Sequence, residues 1–492
     1  MFRVLDRRRT ANIALALLTG VLLVLLFPNF SFTWLAPVAL TPLLLALSRE
    51  DSLRWRFLYG YFAGVLYWFS VCTWIECVLE YFGGMGKFGG WGAFLLFCVA
   101  KAIHLGVFAL FAAILLRKSY AVIAVPALWT GIERTHGPLG FAWLTLGDAG
   151  TSMGLPMRLA PFTGVYGLSF VFALTACALA LLIFRRPRLH IAWCGVLLLL
   201  PLLPSLPTPA AGDKTAVLVQ TNAAEDAEWN SDSLSRFEAR LMEISLTAST
   251  SAPAELIVWP ESPLPLYYYR GGGFQIDAQN LARASNAYFI LGSVAPTLSG
   301  DPANSALLIS PEGKLVERYD KMNLVPFGEF IPPGFGWVNR ITSEAGDFVP
   351  GKRVVTLPVD GHSIGAFICY ESAFPDFVRR FTAKGADLLV NISNDGYFGR
   401  SAARNQHLKL VRMRAAENAR WILRDTNNGV TAVIDPAGRI AAELPSYKQI
   451  AARVRFSYET RMTFYAQYGD WFAWSCLILS AIALLLPRFK KI

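Results

Sequence analysis

Apolar residues are distributed very unevenly along this chain, and that distribution limits what the chain can fold into. They crowd residues 1–205 and return at residues 470–487, whereas residues 206–469 have the composition of an ordinary soluble domain. Over the whole chain 54% of the residues are hydrophobic and only 16% are charged, while a soluble globular protein carries about a quarter charged residues. The sequence therefore predicts a membrane-embedded part that flanks one water-exposed domain.

Segment length predicts the number of membrane-spanning helices, because crossing the hydrocarbon core takes about 20 mostly apolar residues. We expect about eight transmembrane helices, at residues 11–28, 31–48, 57–78, 90–116, 121–137, 163–184, 189–205 and 470–487. No small-residue cleavage site follows the first apolar run, so we interpret that run as a retained span rather than a signal peptide. Lys101 lies deep within the fourth span, where a charge is costly.

The basic residues indicate how these helices are oriented. If the N-terminus is cytoplasmic, the inside segments hold the Lys and Arg clusters at residues 3–9, 49–56, 117–118, 185–188 and 488–491. The short outside segments hold only Lys87 and Arg158. The positive-inside rule then puts both termini in the cytoplasm and the water-exposed domain on the far side, which in a bacterium with two membranes is the periplasmic side of the inner membrane. Topology also explains the net charge of +10, so we expect membrane lipids and no nucleic acid as partners.

The predicted domains are a seven-helix membrane domain at 1–205, an outside domain at 206–469, and a last helix with a cytoplasmic tail at 470–492. In the outside domain, short apolar runs typical of strands are separated by helical patterns, which predicts a layered α/β sandwich. The predicted strands are Ala216–Asn222, Leu256–Trp259, Tyr288–Val294, Ser305–Ser310, Ile364–Tyr370, Leu388–Ile392 and Thr431–Ile434. The predicted helices lie near 231–248, 277–287, 374–384 and 403–420.

One cysteine differs from the other six in its location. Cys72, Cys77, Cys98, Cys177, Cys194 and Cys476 fall inside predicted spans, and Cys369 alone lies in the outside domain. A lone cysteine there is either an inert core residue or a reactive thiol. Cys369 ends an apolar strand and is followed at once by polar residues, which is where α/β folds place functional groups.

A nucleophilic thiol needs a base and a group that stabilises the oxyanion. His362 begins the same strand as Cys369 and is too far along it, and His407 could be structural. Two other segments supply a carboxylate and a lysine beside turn prolines, Val258–Pro263 with Glu261 and Tyr319–Glu329 with Lys321. Each could be solvated surface charge, but together with Cys369 they form a Glu/Lys/Cys set. No His/Cys/Asp cluster has metal-ligand spacing, so we expect no metal and no cofactor.

These segments also resemble a known family. The motifs are WPES (259–262), YDKMNLVPFGEF (319–330), ICYES (368–372), NISNDGYFG (391–399), TNNG (426–429), FAWLTLG (141–147) and LAPFTGVYGLSF (159–170). In this order and on this topology they resemble the apolipoprotein N-acyltransferases, the membrane branch of the nitrilase (carbon–nitrogen hydrolase) superfamily. The resemblance implies about eight transmembrane helices plus a nitrilase-like α-β-β-α sandwich.

The resemblance also implies roles for individual residues. Cys369 would be the nucleophile, Glu261 the general base, Lys321 the oxyanion stabiliser and Glu329 a second carboxylate of the site. Residues that would bind substrate are Trp229, Tyr370, Glu371, Trp143, Tyr397 and Phe327. Tyr397 stands where many members have tryptophan, a difference that lies at the mouth and bears on substrate preference rather than on the chemistry.

The family transfers a fatty acyl chain from a phospholipid, through a thioester, to the α-amino group of the N-terminal S-diacylglyceryl cysteine of an apolipoprotein. The expected partners are therefore a phospholipid donor and a diacylglyceryl apolipoprotein acceptor, and we expect a monomer. One alternative is a membrane-anchored nitrilase or amidase acting on a small amide, which would not require seven spans before the domain. Another is a transporter or structural protein with an inactive nitrilase domain, against which the complete Glu/Lys/Cys set argues.

Overall fold

The computed structural model describes residues 7–138, 141–184, 192–208, 211–261, 265, 267–331 and 348–486. The chain divides into two compact units. A helical unit comprises residues 1–80, 86–206 and 468–492, and an α/β unit comprises residues 81–85 and 207–467.

The helical unit contains both long apolar helices and shorter, broken ones. Its α-helices are α1 Arg7–Leu25, α2 Thr41–Ser48, α3 Leu53–Val71, α4 Trp74–Cys77, α5 Gly86–Leu115, α6 Ala121–Arg134, α7 Ala160–Thr163, α8 Val165–Ile183 and, after the α/β unit, α14 Trp471–Leu485. Among the described residues, α1, α5 and α8 are long and apolar enough to cross a membrane. The helix pair 53–71 and 74–82 would make a fourth span if its 57° bend is a break within one crossing.

The prediction of eight spans is therefore confirmed only in part. Helical structure lies at each predicted position, but α2 and α14 are short, and α6 has 14 residues. The predicted span at 189–205 begins outside the described residues, and its described part, Ala192–Leu202, is a 3-10 helix. Sequence hydropathy locates apolar segments well, whereas breaks that divide them depend on packing that hydropathy does not record.

Lys101 has a partner within the helical unit. Its Nζ donates a hydrogen bond to the carbonyl of Phe141 at 3.0 Å and lies 5.2 Å from the ring centroid of Trp68. A carbonyl and an aromatic face both favour a cation. These contacts explain how a lysine is accommodated in the middle of α5.

The α/β unit contains two six-stranded sheets, each with parallel strands at its centre and antiparallel strands outside. The first sheet has the order β12-β1-β2-β3-β4-β5 and the second the order β11-β10-β9-β8-β7-β6. The first-sheet strands are β1 Lys214–Gln220, β2 Leu256–Val258, β3 Tyr288–Pro296, β4 Pro302–Ile309, β5 Leu315–Asp320 and β12 Ile450–Phe456. The second-sheet strands are β6 Thr356–Val359, β7 His362–Ile368, β8 Leu388–Ser393, β9 Ile422–Thr426, β10 Ala432–Ile434 and β11 Ile440–Glu443.

Helices cover the outer faces of both sheets. They are α9 Ser231–Thr250 and α10 Gly273–Ser285 over the first sheet, α11 Pro375–Ala383 and α12 Ala403–Asn418 over the second, and α13 Phe464–Tyr468. The inner faces meet where β1 lies against β9 and β4 against β7. Central strands covered on both sides must be apolar throughout, and every residue of β8 is buried. The expected α-β-β-α sandwich is confirmed.

The seven predicted strands and four predicted helices of this unit are confirmed with small shifts of their ends. One shift affects the site. The prediction extended a strand to Tyr370, but β7 ends at Ile368 and a 3-10 helix, Cys369–Ala373, follows it.

Asn427 joins the two sheets at the end of β9. Its Oδ1 accepts hydrogen bonds from the Thr221 hydroxyl and the Ala223 backbone N–H, both at 2.7 Å, and its Nδ2 donates to the Ala223 carbonyl at 2.8 Å. Its own carbonyl accepts from the backbone N–H of Asn222 at 2.7 Å. One buried side chain thereby fixes the chain that leaves β1 against the second sheet.

Replacing Asn427 with Ala should destabilise the protein, because the buried Ala223 N–H and Thr221 hydroxyl would lose their acceptor. Each buried unsatisfied donor costs about 1–3 kcal/mol, so the loss of the acceptor of both should lower the free energy of unfolding by about 2–6 kcal/mol. Urea titration of the detergent-solubilised protein followed by tryptophan fluorescence measures it. Asn280→Ala, at an exposed position that accepts a hydrogen bond from the neighbouring Arg283, is the control; equal losses in both variants would contradict the assignment.

Candidate active site

Cys369 occupies a strained position at the end of β7. Its φ of 50° lies in the left-handed region, which costs a non-glycine L-residue about 1–2 kcal/mol. The residue is buried, and its carbonyl faces the Nε2 atom of His407 at 3.0 Å. A strained turn that the surrounding structure holds in place is typical of functional residues.

Glu371 holds this turn against the neighbouring sheet. Its Oε2 accepts a hydrogen bond from the Ile368 N–H at 2.8 Å. Its Oε1 accepts from the Tyr319 hydroxyl and the Met322 N–H, both at 2.7 Å, and from the Asn323 N–H at 3.1 Å. One carboxylate thus links the end of β7 to the loop that follows β5.

The predicted substrate-binding role of Glu371 stays a prediction, and the structure shows how the side chain is held. The side chain is fully buried, and both oxygens already accept hydrogen bonds from the chain. Burial raises its pKa to about 7, against the opposing effect of the hydrogen bonds from Ile368 and Tyr319. These hydrogen bonds of Glu371 fix the turn at Cys369.

Lys321 follows β5 and lies between two carboxylates. Its Nζ donates to Oε1 of Glu261 at 3.0 Å and to Oε1 of Glu329 at 2.9 Å, and its side chain is 1% exposed. Burial alone would lower the pKa of Lys321, but the negative charges of Glu261 and Glu329 outweigh it and hold the pKa well above its usual value. The ammonium group therefore stays charged at neutral pH.

Asn304, on β4, completes this cluster, and the sequence analysis did not find it. Its Nδ2 donates to Oε1 of Glu261 and to Oε1 of Glu329, both at 2.7 Å. Its carbonyl accepts from the Lys321 N–H at 2.8 Å. The only available signal was a polar residue at the start of a strand that is otherwise largely apolar.

Glu261 lies just beyond the end of β2. Besides its contacts with Lys321 and Asn304, its Oε2 accepts a hydrogen bond from the Asn394 backbone N–H at 2.8 Å. Trp259 anchors the segment, because its indole Nε1 donates to the Ser245 hydroxyl at 3.1 Å within the first helical layer. The carboxylate is thus fixed by both sheets.

The thiol of Cys369 is neutral at rest. Burial raises its pKa, the charge of Glu261 raises it further, and the charge of Lys321 opposes both. A thiol with a raised pKa needs a nearby base to become a nucleophile. Glu261 is the carboxylate with the largest electrostatic effect on this thiol.

A buried ionic network supports Cys369 from the second sheet. The His407 Nδ1 lies 2.9 Å from the Asp395 Oδ1, and Arg424 donates to the Asp395 Oδ2 at 2.6 Å. Although burial favours the neutral acid, Arg424 and His407 hold the pKa of Asp395 below its usual range. His407 is therefore structural, one of the readings left open by the sequence, and it fixes the Cys369 carbonyl.

Aromatic residues predicted to line the mouth lie on loops of the α/β unit. Tyr397 follows Asn394 on the 3-10 helix Asp395–Phe398, is 44% exposed, and meets the Phe82 ring edge-on with centroids 5.0 Å apart. Phe327 has a positive φ of 63° in the loop that carries Glu329. Tyr370 packs edge-on against Phe374. Their contacts with substrate remain predictions.

The two predicted tryptophans lie elsewhere. Trp229 packs edge-on against Phe237 and on the apolar core beneath α9. Trp143 belongs to the helical unit, where it packs against Trp74 with centroids 5.1 Å apart. The structure brings Cys369, Glu261, Lys321 and Glu329 into one cluster, and the roles of the two tryptophans remain predictions.

Comparison with known proteins gives matches over both units. The carbon–nitrogen hydrolase family matches residues 215–459, and the apolipoprotein N-acyltransferase N-terminal domain matches residues 19–178. Solved structures of an amidase of the nitrilase superfamily from Nesterenkonia align with 54% of this chain and 94% of that chain, at 18% identity and a TM-score of 0.39.

Relatives that match over nearly the whole length share one name. The apolipoprotein N-acyltransferase of Geobacter metallireducens is 33% identical over 97% of this chain and 95% of its own. That of Pseudomonas syringae pv. tomato is 32% identical over 97% of each chain. The resemblance seen in the motifs is confirmed: this chain belongs to the apolipoprotein N-acyltransferase family, with a carbon–nitrogen hydrolase domain as its α/β unit.

Proposed function

We propose that this protein transfers a fatty acyl chain from a phospholipid, through a thioester on Cys369, to the α-amino group of the N-terminal S-diacylglyceryl cysteine of an apolipoprotein. The observation that carries this proposal is the buried Lys321 ammonium between Glu261 and Glu329, beside the strained Cys369 turn. Membership of the acyltransferase family supplies the substrate classes.

In the first step Glu261 takes the thiol proton while the sulfur attacks the ester carbonyl of the phospholipid. An ammonium group has three N–H donors, and two of those of Lys321 are held by Glu261 and Glu329. The third is left for the oxyanion, which forms in a buried site where a fixed charge is most effective. The lysophospholipid oxygen leaves with the proton from Glu261, and the thioester remains.

Water must be kept from the thioester until the acceptor arrives. Phe327, Phe330 and Tyr397 are the aromatic side chains that we assign to this task, because they lie on the loops that carry Glu329 and Asn394. Trp143, Trp229 and Tyr370 are assigned to the substrate path on the family resemblance alone. No metal or cofactor takes part in any of these steps.

The proposal extends to location and assembly. We place the protein in the bacterial inner membrane with eight spans, with residues 206–469 in the periplasm and both termini in the cytoplasm. The positive-inside pattern supports this placement. Both substrates carry acyl chains, so a catalytic domain attached to the bilayer meets them where they reside. We expect a monomer that does not bind nucleic acid.

Replacing Cys369 with Ala should abolish the acyl-enzyme, because no other residue in the cluster can form the thioester. Mass spectrometry of the full-length protein after incubation with phospholipid should show an acyl-sized mass on the peptide that contains Cys369 in the wild type. The same peptide of Cys369→Ala should lack this mass. Cys77→Ser, at an exposed cysteine of the helical unit, should keep the adduct. An adduct that persists in Cys369→Ala would mean that another residue is the nucleophile.

Replacing Lys321 with Arg should lower kcat by about 10²–10³-fold, the loss typical of removing one oxyanion donor. The planar guanidinium is larger than the ammonium and cannot occupy a site built around one point charge. Steady-state assays with a diacylglyceryl peptide measure this, with Lys314→Arg, at an exposed position, as the control. Near-normal turnover of the Lys321 variant would refute the oxyanion role.

Alkaline phosphatase fused after Ser457 should be active in bacterial cells, because this reporter forms its disulfides only outside the cytoplasm. The same reporter fused after Ile492 should be inactive. Activity of the second fusion with inactivity of the first would reverse the proposed orientation.

A further inference from the structure

In the second half of the proposed reaction, the acceptor amine releases one proton more than Glu261 alone can accept. A free α-amino group has a pKa of about 8 and is mostly protonated at neutral pH. Its nitrogen loses two protons on becoming an amide. Glu261 can carry one of them to the sulfur that leaves, so the other needs a separate acceptor.

Glu225 lies in the loop between β1 and α9 and is held beside Glu261. Its Oε1 accepts a hydrogen bond from Nδ2 of Asn427 at 2.8 Å, and the same Nδ2 lies 3.1 Å from Oδ1 of Asn394. The backbone N–H of Asn394 in turn donates to Glu261. Two asparagines therefore connect the two carboxylates.

Gly396 makes room for the Glu225 carboxylate. A Cβ atom on Gly396 would lie 2.1 Å from Oε1 of Glu225, so any side chain there would displace the carboxylate. Gly396 precedes Tyr397, and burial together with the charges of Glu225, Glu261 and Glu329 raises the pKa of the Tyr397 phenol. Glu225 is thus in electrostatic range of the reacting groups.

The charges around Glu225 suit it to accept a proton. Burial raises its pKa to about 7, the charges of Glu261 and Asp226 add to this effect, and hydrogen bonds from Asn394 and Asn427 oppose it. A base whose pKa lies near the working pH is the most effective. The single positive charge of Lys321 neutralises only one of the nearby carboxylates, so the site keeps a net negative charge. This charge favours the binding of a cationic acceptor.

We propose that Glu225 binds the ammonium group of the acceptor and removes its first proton. The proton moves from nitrogen to the Glu225 carboxylate, and the neutral amine attacks the thioester carbonyl. A C–N bond forms, the C–S bond breaks, and Glu261 carries the second proton from nitrogen to the Cys369 sulfur. Glu225 then releases its proton to water. This inference rests on the proposed function.

The two half-reactions are measured separately on the full-length protein in detergent. Acyl-enzyme is formed with phospholipid, a diacylglyceryl peptide is added, and the thioester mass is followed with time. In Glu225→Gln, the ratio of transfer rate to acylation rate should fall about tenfold at pH 7, because roughly a tenth of the amine is neutral there. The difference in this ratio between Glu225→Gln and the wild type should nearly disappear at pH 9, because most of the amine is already neutral at that pH.

Glu228→Gln, at an exposed position of the same loop, is the matched control and should keep the wild-type ratio at both pH values. Hydroxylamine, which is neutral at pH 7, should discharge the wild-type and Glu225→Gln acyl-enzymes at equal rates. A Glu225→Gln deficit of equal size at pH 7 and pH 9, or no deficit at pH 7, would overturn this role. Absence of acyl-enzyme in the wild type would instead overturn the proposed function itself.

Discussion

The site depends on the ion pairs that the buried Lys321 ammonium group makes with two carboxylates. A buried ammonium is costly unless it is paired and hydrogen-bonded, and here Glu261 and Glu329 pair with it while Asn304 bonds both carboxylates. Removing any one of these groups would leave a buried charge or a buried hydrogen-bonding group without its partner. The arrangement therefore fixes its members relative to one another before substrate arrives, which is the preorganisation that oxyanion stabilisation requires.

The sandwich brings this cluster to the nucleophile. Lys321 and Asn304 come from the first sheet, and Cys369 from the second. Glu371 spans the two, since it bonds Ile368 at the end of β7 as well as Tyr319 and the loop after β5. The left-handed turn at Cys369 is thereby tied to the loop that follows Lys321. The Glu371 hydrogen bonds that join the two sheets are therefore the same ones that fix the geometry of the site.

The sequence alone predicts the elements formed by continuous apolar runs and the motifs that carry chemistry. Strand β8, which is apolar apart from Asn391 and Ser393, was predicted, whereas β12, in which Arg453 and Arg455 alternate with apolar residues, was not. Asn304 was missed because one polar residue in a strand does not reveal a partner on another loop. Glu225 was missed because its partner Asn427 lies 202 residues away. Local sequence patterns thus identify secondary-structure elements and motifs, whereas hydrogen bonds between residues of distant loops can be identified only in the folded structure.

The resting state of the nucleophile follows from the same balance of charges. Burial and Glu261 keep the Cys369 thiol protonated, and it is the thiolate that reacts with oxidants and metals. In the proposed periplasmic location, which is oxidising, the protonated thiol is therefore protected from oxidants and metals. In the proposed mechanism the thiol loses its proton to Glu261 only as the ester carbonyl is attacked, and the negative charge passes to the oxyanion beside Lys321. Activation of the nucleophile is thus coupled to the presence of its substrate.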